Sequence, residues 1–314
     1  MSAREAILLI AHGSPECAKD VPAFLKNVTS GRTMPLEVLK EIQLRYERIG
    51  RSPLREITEK QAAALRIKTD MPVYVGMRNW TPYIAQVVPQ MIADGVARAV
   101  AICLAPQNSQ TSVGLYRRAV FAEAGDKLKI EFVESWHDHP LLIAAFAEKL
   151  LRAWKEACAR AGVAVPVIFT AHSVPERTIE AGDCYEAQSK ETAALVAARV
   201  AGLEPELWRF AFQSPGMSGG KWIGPTVEET ILELKATGHR NVVIQPVGFV
   251  CDHVEVLYDI DIGFQEFARK NGMELSRTES LNDSPLFIEA LAALARTSLA
   301  NPKAERPAIA HARL

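Results

Sequence analysis

Val167-Ile168-Phe169-Thr170-Ala171-His172-Ser173-Val174-Pro175-Glu176 is the stretch on which the fold of this chain turns. Apolar and β-branched residues run straight into a histidine, and a proline follows three positions later. A continuous apolar run closed by a turn signal reads as a parallel strand buried on both faces. His172 then stands at the strand's C-terminal end, the edge at which open α/β sheets take their ligands. The plainer alternative is a buried histidine whose ring nitrogens are satisfied by hydrogen bonds.

The pattern occurs twice. Leu8-Leu9-Ile10-Ala11-His12-Gly13-Ser14-Pro15-Glu16 again gives an apolar run, Ala-His, a small residue and then Pro-Glu. Gly95 to Ile102 and Gly238 to Ile244 echo each other in the same way. Two halves of similar build are expected, each ending its first strand in a histidine, with a cleft between them.

The chain has 314 residues, enough for two domains of ordinary size. Its 48% hydrophobic and 23% charged residues suit a soluble globular enzyme. Lys and Arg number 36 against 37 Asp and Glu, a net charge of −1. That balance gives no general case for nucleic acid or an anionic membrane surface. No apolar run approaches the roughly 18–20 residues of a membrane span, and the N-terminus lacks a signal-peptide layout. Cytoplasmic residence is the expectation. The five cysteines (Cys17, Cys103, Cys158, Cys184, Cys251) include no C-x-x-C pair. This argues against a disulfide framework and against a structural zinc or iron–sulfur centre held by cysteines.

After the first strand, apolar spacing predicts helices over Val21–Val28, Pro35–Ile49 and Ile57–Ile67, the last with Thr58 and Glu59 near its start. A βαβ crossover needs only one helix, so this insertion is expected to serve function as a cleft wall. Strand and helix then alternate: Pro72–Met77, Pro82–Ala93, Ala97–Leu104, Val113–Ala124, Leu128–Ser135. Parallel sheets covered on both faces follow from that rhythm. A domain boundary is expected near Asp138, giving 1–138, 139–300 and a mobile tail, 301–314. The second half opens with a long helix, Pro140–Ala161. It continues with strand Pro166–Thr170, helix Glu186–Val200, strand Leu207–Phe212, helix Thr226–Thr237 and strand Val242–Val247. A helix over His253–Lys270, strand Met273–Arg277 and helix Pro285–Leu299 complete it, the last with Asn282-Asp283-Ser284 as its cap. The Gly-rich loop Gln213–Trp222 lacks phosphate-loop spacing.

Chemistry concentrates after the strand Val242–Val247. Asp252, His253, Glu255 and Asp259 fall within eight residues. Glu255 and Asp259 are spaced i and i+4, on one helix face. An exposed acidic helix start favoured by the macrodipole accounts for Asp252, and less well for Asp259. A histidine at one strand end and a glutamate at a neighbouring helix start suit a borderline divalent metal and proton abstraction.

On these residues the chain resembles the ferrochelatase family over nearly its whole length, most closely the soluble bacterial form. The resemblance is carried by Phe169 to Glu176, Val247 to Tyr258 and Ser280 to Pro285. It is supported by Arg45 to Gly50, Ser52-Pro53-Leu54, Gly76-Met77-Arg78, Leu104-Ala105-Pro106, Glu134-Ser135-Trp136 and Trp222 to Pro225. It implies two similar Rossmann-like α/β domains with porphyrin between them, and His172 and Glu255 as the catalytic pair that binds Fe²⁺ and moves pyrrole protons. It also implies porphyrin contacts from Arg45, Tyr46, Ser52 and Tyr116; for Arg45 and Arg48, a solvated helix face is the competing reading. Asp259 and Arg78 would lie on the secondary path for protons or metal.

Two departures from the family pattern matter. His12 stands where close bacterial relatives typically carry a tyrosine facing the metal, so it is expected to contact the porphyrin and to serve as an axial ligand to product haem. Gly263 stands where relatives carry a further acidic residue, which puts an outer relay site in doubt. The resemblance favours coproporphyrin III as substrate, with protoporphyrin IX, a cobalt or nickel chelatase and a non-catalytic haem carrier as alternatives. No cofactor beyond Fe²⁺, no iron–sulfur cluster and a monomer are expected.

Overall fold

The computed structural model describes residues 4–216 and 220–301. The first half runs β1 (Arg4–Ala11), α1 (Val21–Val28), α2 (Leu36–Ile49), α3 (Leu54–Thr69), β2 (Val73–Met77), α4 (Ile84–Ala93), β3 (Val96–Cys103), α5 (Val113–Ala124) and β4 (Lys129–Val133). The second runs α6 (Pro140–Ala161), β5 (Val167–His172), α7 (Glu176–Glu180), α8 (Tyr185–Ala197), β6 (Trp208–Gln213), α9 (Val227–Ala236), β7 (Asn241–Pro246) and α10 (Val254–Leu257). A π-helical segment (Asp259–Phe264), α11 (Gln265–Lys270), β8 (Glu274–Arg277) and α12 (Pro285–Ala300) close it.

The strands form two four-stranded parallel sheets, ordered β2-β1-β3-β4 and β6-β5-β7-β8. The connectivity is the same in both, as the repeated motif requires. β1 and β5 hold the same interior place, which is why both read as unbroken apolar runs: Ala6 to Ile10 and Val167 to Phe169 have no exposed surface. The repeat extends to the turn after the edge strand. Met77 N–H donates to the Pro82 carbonyl at 2.7 Å, and Phe212 N–H donates to the Pro225 carbonyl at 2.7 Å.

The sheets share one apolar core. Ile7, Leu9 and Val100 of the first belong to the same buried cluster as Val167, Phe169 and Val243 of the second, joined through Phe146 and Leu150 of α6 and Phe287 and Leu291 of α12. α12 packs on α3 and β3 as well as on α6, so the end of the chain braces both lobes. Truncating the fully buried Leu291 to alanine costs about 2–5 kcal/mol, the usual range for such a cavity.

Four local expectations give way. The single helix over His253–Lys270 is broken into α10, the π-helical segment and α11; Gly263 N–H reaches back five residues to the Tyr258 carbonyl at 2.9 Å, the bond of a π turn. Thr58 is not near a helix start, since α3 begins at Leu54 and the Thr58 hydroxyl donates to the Leu54 carbonyl at 2.8 Å. Asp252 is no exposed dipole partner. It accepts from Ser280 Oγ at 2.7 Å and Asn282 Nδ2 at 2.9 Å and lies 3.3 Å from Arg277, fastening the loop before α10 to the loop before α12. The Asn282–Ser284 stretch gives α12 no side-chain cap; Asn282 turns instead to the Asp252 backbone N–H at 2.9 Å. The predicted mobile tail falls outside the described residues from 302 onward, as do residues 217–219 of the Gly-rich loop.

Candidate active site

His172 ends β5, and its ring is oriented by its own neighbour. Nδ1 lies 2.5 Å from the Ser173 carbonyl, which can only accept, so Nδ1 carries the proton. In the neutral ring Nε2 is therefore bare, and it faces Glu255 Oε1 at 3.6 Å. Glu255 lies on α10, with His253 on its other side: Nε2 of His253 is 3.4 Å from Oε2, while its Nδ1 donates to the Cys251 carbonyl at 3.0 Å. The carboxylate is thus bracketed by two imidazoles. His172 and Glu255 keep 31% and 36% of their side-chain surface, so the pair is open to a ligand.

The electrostatics follow from this arrangement. Burial acts to raise the Glu255 pKa, but His172, the hydrogen bond and charge of His253, and His12 override it and hold the carboxyl well below its usual range. Burial acts to lower the His253 pKa, yet its bond to Glu255 leaves it raised. The Asp259 carboxyl is raised, first by burial and then by Glu255, against relief from Ser214, Arg45 and His172.

Close approach to His172 needs two special positions. A Cβ on Gly248 would lie 2.7 Å from Ala171 Cβ and 2.8 Å from its Cα, so the loop after β7 can cross behind the histidine only as glycine. Gln213, at the end of β6, pairs with His172 in the sheet and is 1% exposed. Its Oε1 accepts from Thr170 Oγ1 at 2.8 Å, its Nε2 donates to the Glu255 carbonyl at 3.1 Å, and its own carbonyl accepts from Ser173 N–H at 2.7 Å. One buried amide thus ties the strand that carries His172 to the helix that carries Glu255.

The opposite wall comes from the first lobe. His12 follows β1, at the place equivalent to His172. The residue is exposed, yet desolvation lowers its pKa to about 4, with Glu255 opposing and His253, His172 and Arg78 adding to the shift. Glu255, His253 and His172 of the second lobe all act electrostatically on it, so His12 faces the site they form. His12 Nδ1 lies 3.1 Å from Tyr116 Oη, and the Asn79 amide sits 3.2 Å from Nε2. Gly13, with φ of +86°, makes the turn after it; a Cβ there would meet Trp80 N at 2.7 Å.

The remaining expected residues separate into two groups. Arg45 reaches across from α2 to Asp259 at 3.3 Å, holds Glu41 at 2.5 Å and stacks 5.2 Å from the centre of the Tyr258 ring. Arg48 lies over the same ring and pairs with Glu266 at 2.7 Å. These contacts bolt the inserted helix to the second lobe. Tyr46 and Ser52 are nearly fully buried and meet through Ser14, whose Oγ lies 2.7 Å from Tyr46 Oη and 3.0 Å from Ser52 Oγ. Arg78 stands on the loop after β2 and acts electrostatically on His12 and Tyr116.

The sequence assigns no role in the site to His253, Gln213, Ser214 or Asn79. His253 announced itself two residues from Glu255. Gln213 and Ser214, whose hydroxyl bonds Asp259, open the Gly-rich loop, whose spacing points to no phosphate site and to no other role. Asn79 had no local signal; the backbone bond from its N–H to the His12 carbonyl at 2.9 Å brings it in.

Among the described residues, no cluster of three or more His, Cys, Asp or Glu is arranged to hold a metal ion by itself. An imidazole and a carboxylate leave most of a metal's coordination positions to another ligand. A two-lobed parallel α/β protein with a strand-end histidine in each lobe, one of them beside a carboxylate, has the build of a chelatase. The sirohydrochlorin chelatase SirB from Bacillus subtilis, in complex with cobalt, shares this fold with a TM-score of 0.53 at 12% identity, over 95% of this chain and 97% of that one. The Ferrochelatase family model matches residues 4–299, and the chain belongs to the ferrochelatase family. It is 56% identical to the ferrochelatase of Acidobacterium capsulatum, over 95% of this chain and 96% of that protein. It is 35% identical to the coproporphyrin III ferrochelatase of Geobacillus thermodenitrificans, over 94% and 96%. It is a metal chelatase, a lyase that inserts metal into a porphyrin in haem synthesis. Among the described residues no helix is long and apolar enough to cross a membrane.

Proposed function

We propose that this enzyme inserts Fe²⁺ into coproporphyrin III, as a cytoplasmic monomer, with His172 and Glu255 as the pair that handles metal and protons. The observation that carries the residue assignment is the bare Nε2 of His172, 3.6 Å from Glu255 in a pair open to solvent, with His12 of the first lobe close enough to feel both charges. Insertion exchanges two pyrrole N–H protons for one Fe²⁺, so the site must both accept protons and strip water from a cation. His172 Nε2 takes a pyrrole proton as general base. Glu255, held ionised by the imidazoles around it, draws the hydrated ion in and offsets the charge of protonated His172. Asp259 holds a proton more readily than an ordinary aspartate, which makes it the next acceptor outward. Arg45, bound to Asp259, takes a porphyrin carboxylate on its remaining N–H groups. Tyr116, Tyr46 and Ser52 offer hydroxyls on the side of His12.

Iron enters this scheme as substrate, without a further cofactor. The Cys251 thiol is pushed up to about 12 by burial and then by Asp252, and burial raises Cys103 further still; thiols held protonated are poor cluster ligands. Likeness to a coproporphyrin III enzyme supports the choice of porphyrin. The deciding assay mixes Fe²⁺ anaerobically with coproporphyrin III or protoporphyrin IX and follows loss of porphyrin fluorescence. Faster loss with coproporphyrin III is expected. A preference for protoporphyrin IX overturns the substrate assignment alone, and binding without conversion of either overturns the catalytic reading.

A further inference from the structure

Beside the His12 wall lies a concavity that the insertion chemistry leaves unused. It has a volume of about 450 Å³ and is lined by Lys26, Asn27, Ser30, Gly31, Arg78 and Tyr83. Two of those side chains are cations and none is an acid. Among the described residues Lys26 has no ion-pair partner, and Arg78 Nε is buried with no hydrogen-bond partner. Arg45 and Arg98 also have a buried Nε without a partner, but their guanidiniums, like that of Arg277, each meet a carboxylate, and among the described residues Arg78 meets none. Two like charges facing one concavity repel, and a buried guanidinium nitrogen without an acceptor costs free energy. A carboxylate placed between them relieves both.

The concavity is also held in place against the cleft. Asn27 Nδ2 donates to the Asn79 carbonyl and to Tyr83 Oη, each at 3.1 Å, which ties α1 to the loop after β2. That loop is tied to the end of β1 by Arg78 N–H on the Ala11 carbonyl at 3.0 Å and Asn79 N–H on the His12 carbonyl at 2.9 Å. Arg78 therefore lines the concavity and also acts electrostatically on His12.

We propose that Lys26 and Arg78 together hold one carboxylate side chain of the porphyrin, and that this contact contributes to substrate choice. The proposal rests on the porphyrin reading above and adds a cation pair to the groups assigned there. Arginine gives the acid a two-pronged contact, and lysine adds a movable point charge.

The test is fluorescence titration of metal-free coproporphyrin III and protoporphyrin IX into the wild type, Lys26→Glu, Arg78→Ala, Arg78→Lys and Lys26→Ala/Arg78→Ala. Loss of a charge-assisted contact raises Kd about tenfold or more, so the double variant should weaken coproporphyrin III binding by at least that factor and flatten its salt dependence. Lys26 is exposed, so Lys26→Glu leaves the fold intact and reverses the charge; it should lose as much. Arg78→Lys should recover part of the loss. If only coproporphyrin III weakens, the held carboxylate is one that protoporphyrin IX lacks; if both weaken, it is one they share. Unchanged Kd for both porphyrins in Lys26→Glu and the double variant overturns the proposal. Binding is read without metal, so failure here is distinct from a wild type that binds porphyrin and does not convert it.

Discussion

His12 and His172 close the same interior strand of two sheets with one connectivity, yet they keep different company. His172 has a carboxylate 3.6 Å from its free nitrogen, with a second imidazole beyond it. His12 has a tyrosine hydroxyl and an asparagine amide, both neutral. Desolvation, with His253, His172 and Arg78 adding to it and Glu255 opposing, lowers the His12 pKa. The fold thus supplies two equivalent positions with different neighbours, a carboxylate at one and uncharged hydrogen-bonding groups at the other, and the roles proposed above, proton acceptor and neutral ligand, follow that difference. The partner that decides the difference, Glu255, comes from a helix after the third strand of the second sheet.

Removing the two sides of that contrast should give very different losses. His172→Ala should lower kcat about 10³-fold or more, since it removes a general base, itself worth about 10²–10⁴, together with a metal contact; porphyrin Kd by fluorescence should stay within about twofold. Turnover retained in His172→Ala breaks the comparison at its root. Glu255→Gln keeps the shape and removes the charge. About a 10²-fold fall in kcat with a raised KM for Fe²⁺ is expected. An unchanged metal KM would place the carboxylate outside the metal's path.

Much of this contrast was legible in the chain. The two Ala-His motifs lie at matching strand ends because an unbroken apolar run of that length has few homes other than the interior of a parallel sheet. Arg45, Tyr46 and Ser52 come from the resemblance and Asp259 from its i, i+4 spacing to Glu255, while their contacts are visible in neither. The break in the helix after His253 was hidden because Val254, Leu257, Ile260 and Phe264 continue a helical apolar spacing through it. The π turn adds its extra residue at Gly263 without disturbing that stripe. Asp252 escapes local dipole reasoning because its partners, Arg277, Ser280 and Asn282, lie some way along the chain, and that reasoning sees only the nearest helix. Gln213 is the plainest case. Its meaning depends on strand register, which pairs it with His172, and no spacing within one strand reveals a neighbour across the sheet.

Gln213 also gives the comparison its next test, because it is the means by which His172 and Glu255 are held together. It is a positioning residue, touching neither ring nor metal in the scheme above. Gln213→Met keeps the volume and removes the amide, leaving the Glu255 carbonyl and the Thr170 hydroxyl without it. A fall of about tenfold in kcat is expected, on the scale of about 1–3 kcal/mol for an unsatisfied buried polar group. Porphyrin Kd should not move, and the acid limb of the pH–rate profile should shift, since Glu255 would no longer be held against His172. A lower melting temperature with an unchanged pH profile would reduce Gln213 to ordinary packing support.

The smallest effect on turnover is expected at His12, and its signature is spectroscopic and pH-dependent. An ordinary histidine titrates near 6.5, and His12 is lowered to about 4 by desolvation. As pH falls below about 6.5 the unfolded chain binds a proton that the folded site refuses, so His12 works against stability increasingly down to about pH 4 and levels off below it. His12→Gln keeps a polar group beside Tyr116 and removes the titration; its unfolding free energy should fall less steeply than the wild type's between those pH values. Turnover should drop only a few-fold, because the base and the carboxylate lie on the other wall. The absorption spectrum of the product complex should change if the neutral imidazole ligates the inserted iron. An unaltered spectrum with an unaltered pH slope would mean that the cleft does not treat its two strand-end histidines differently.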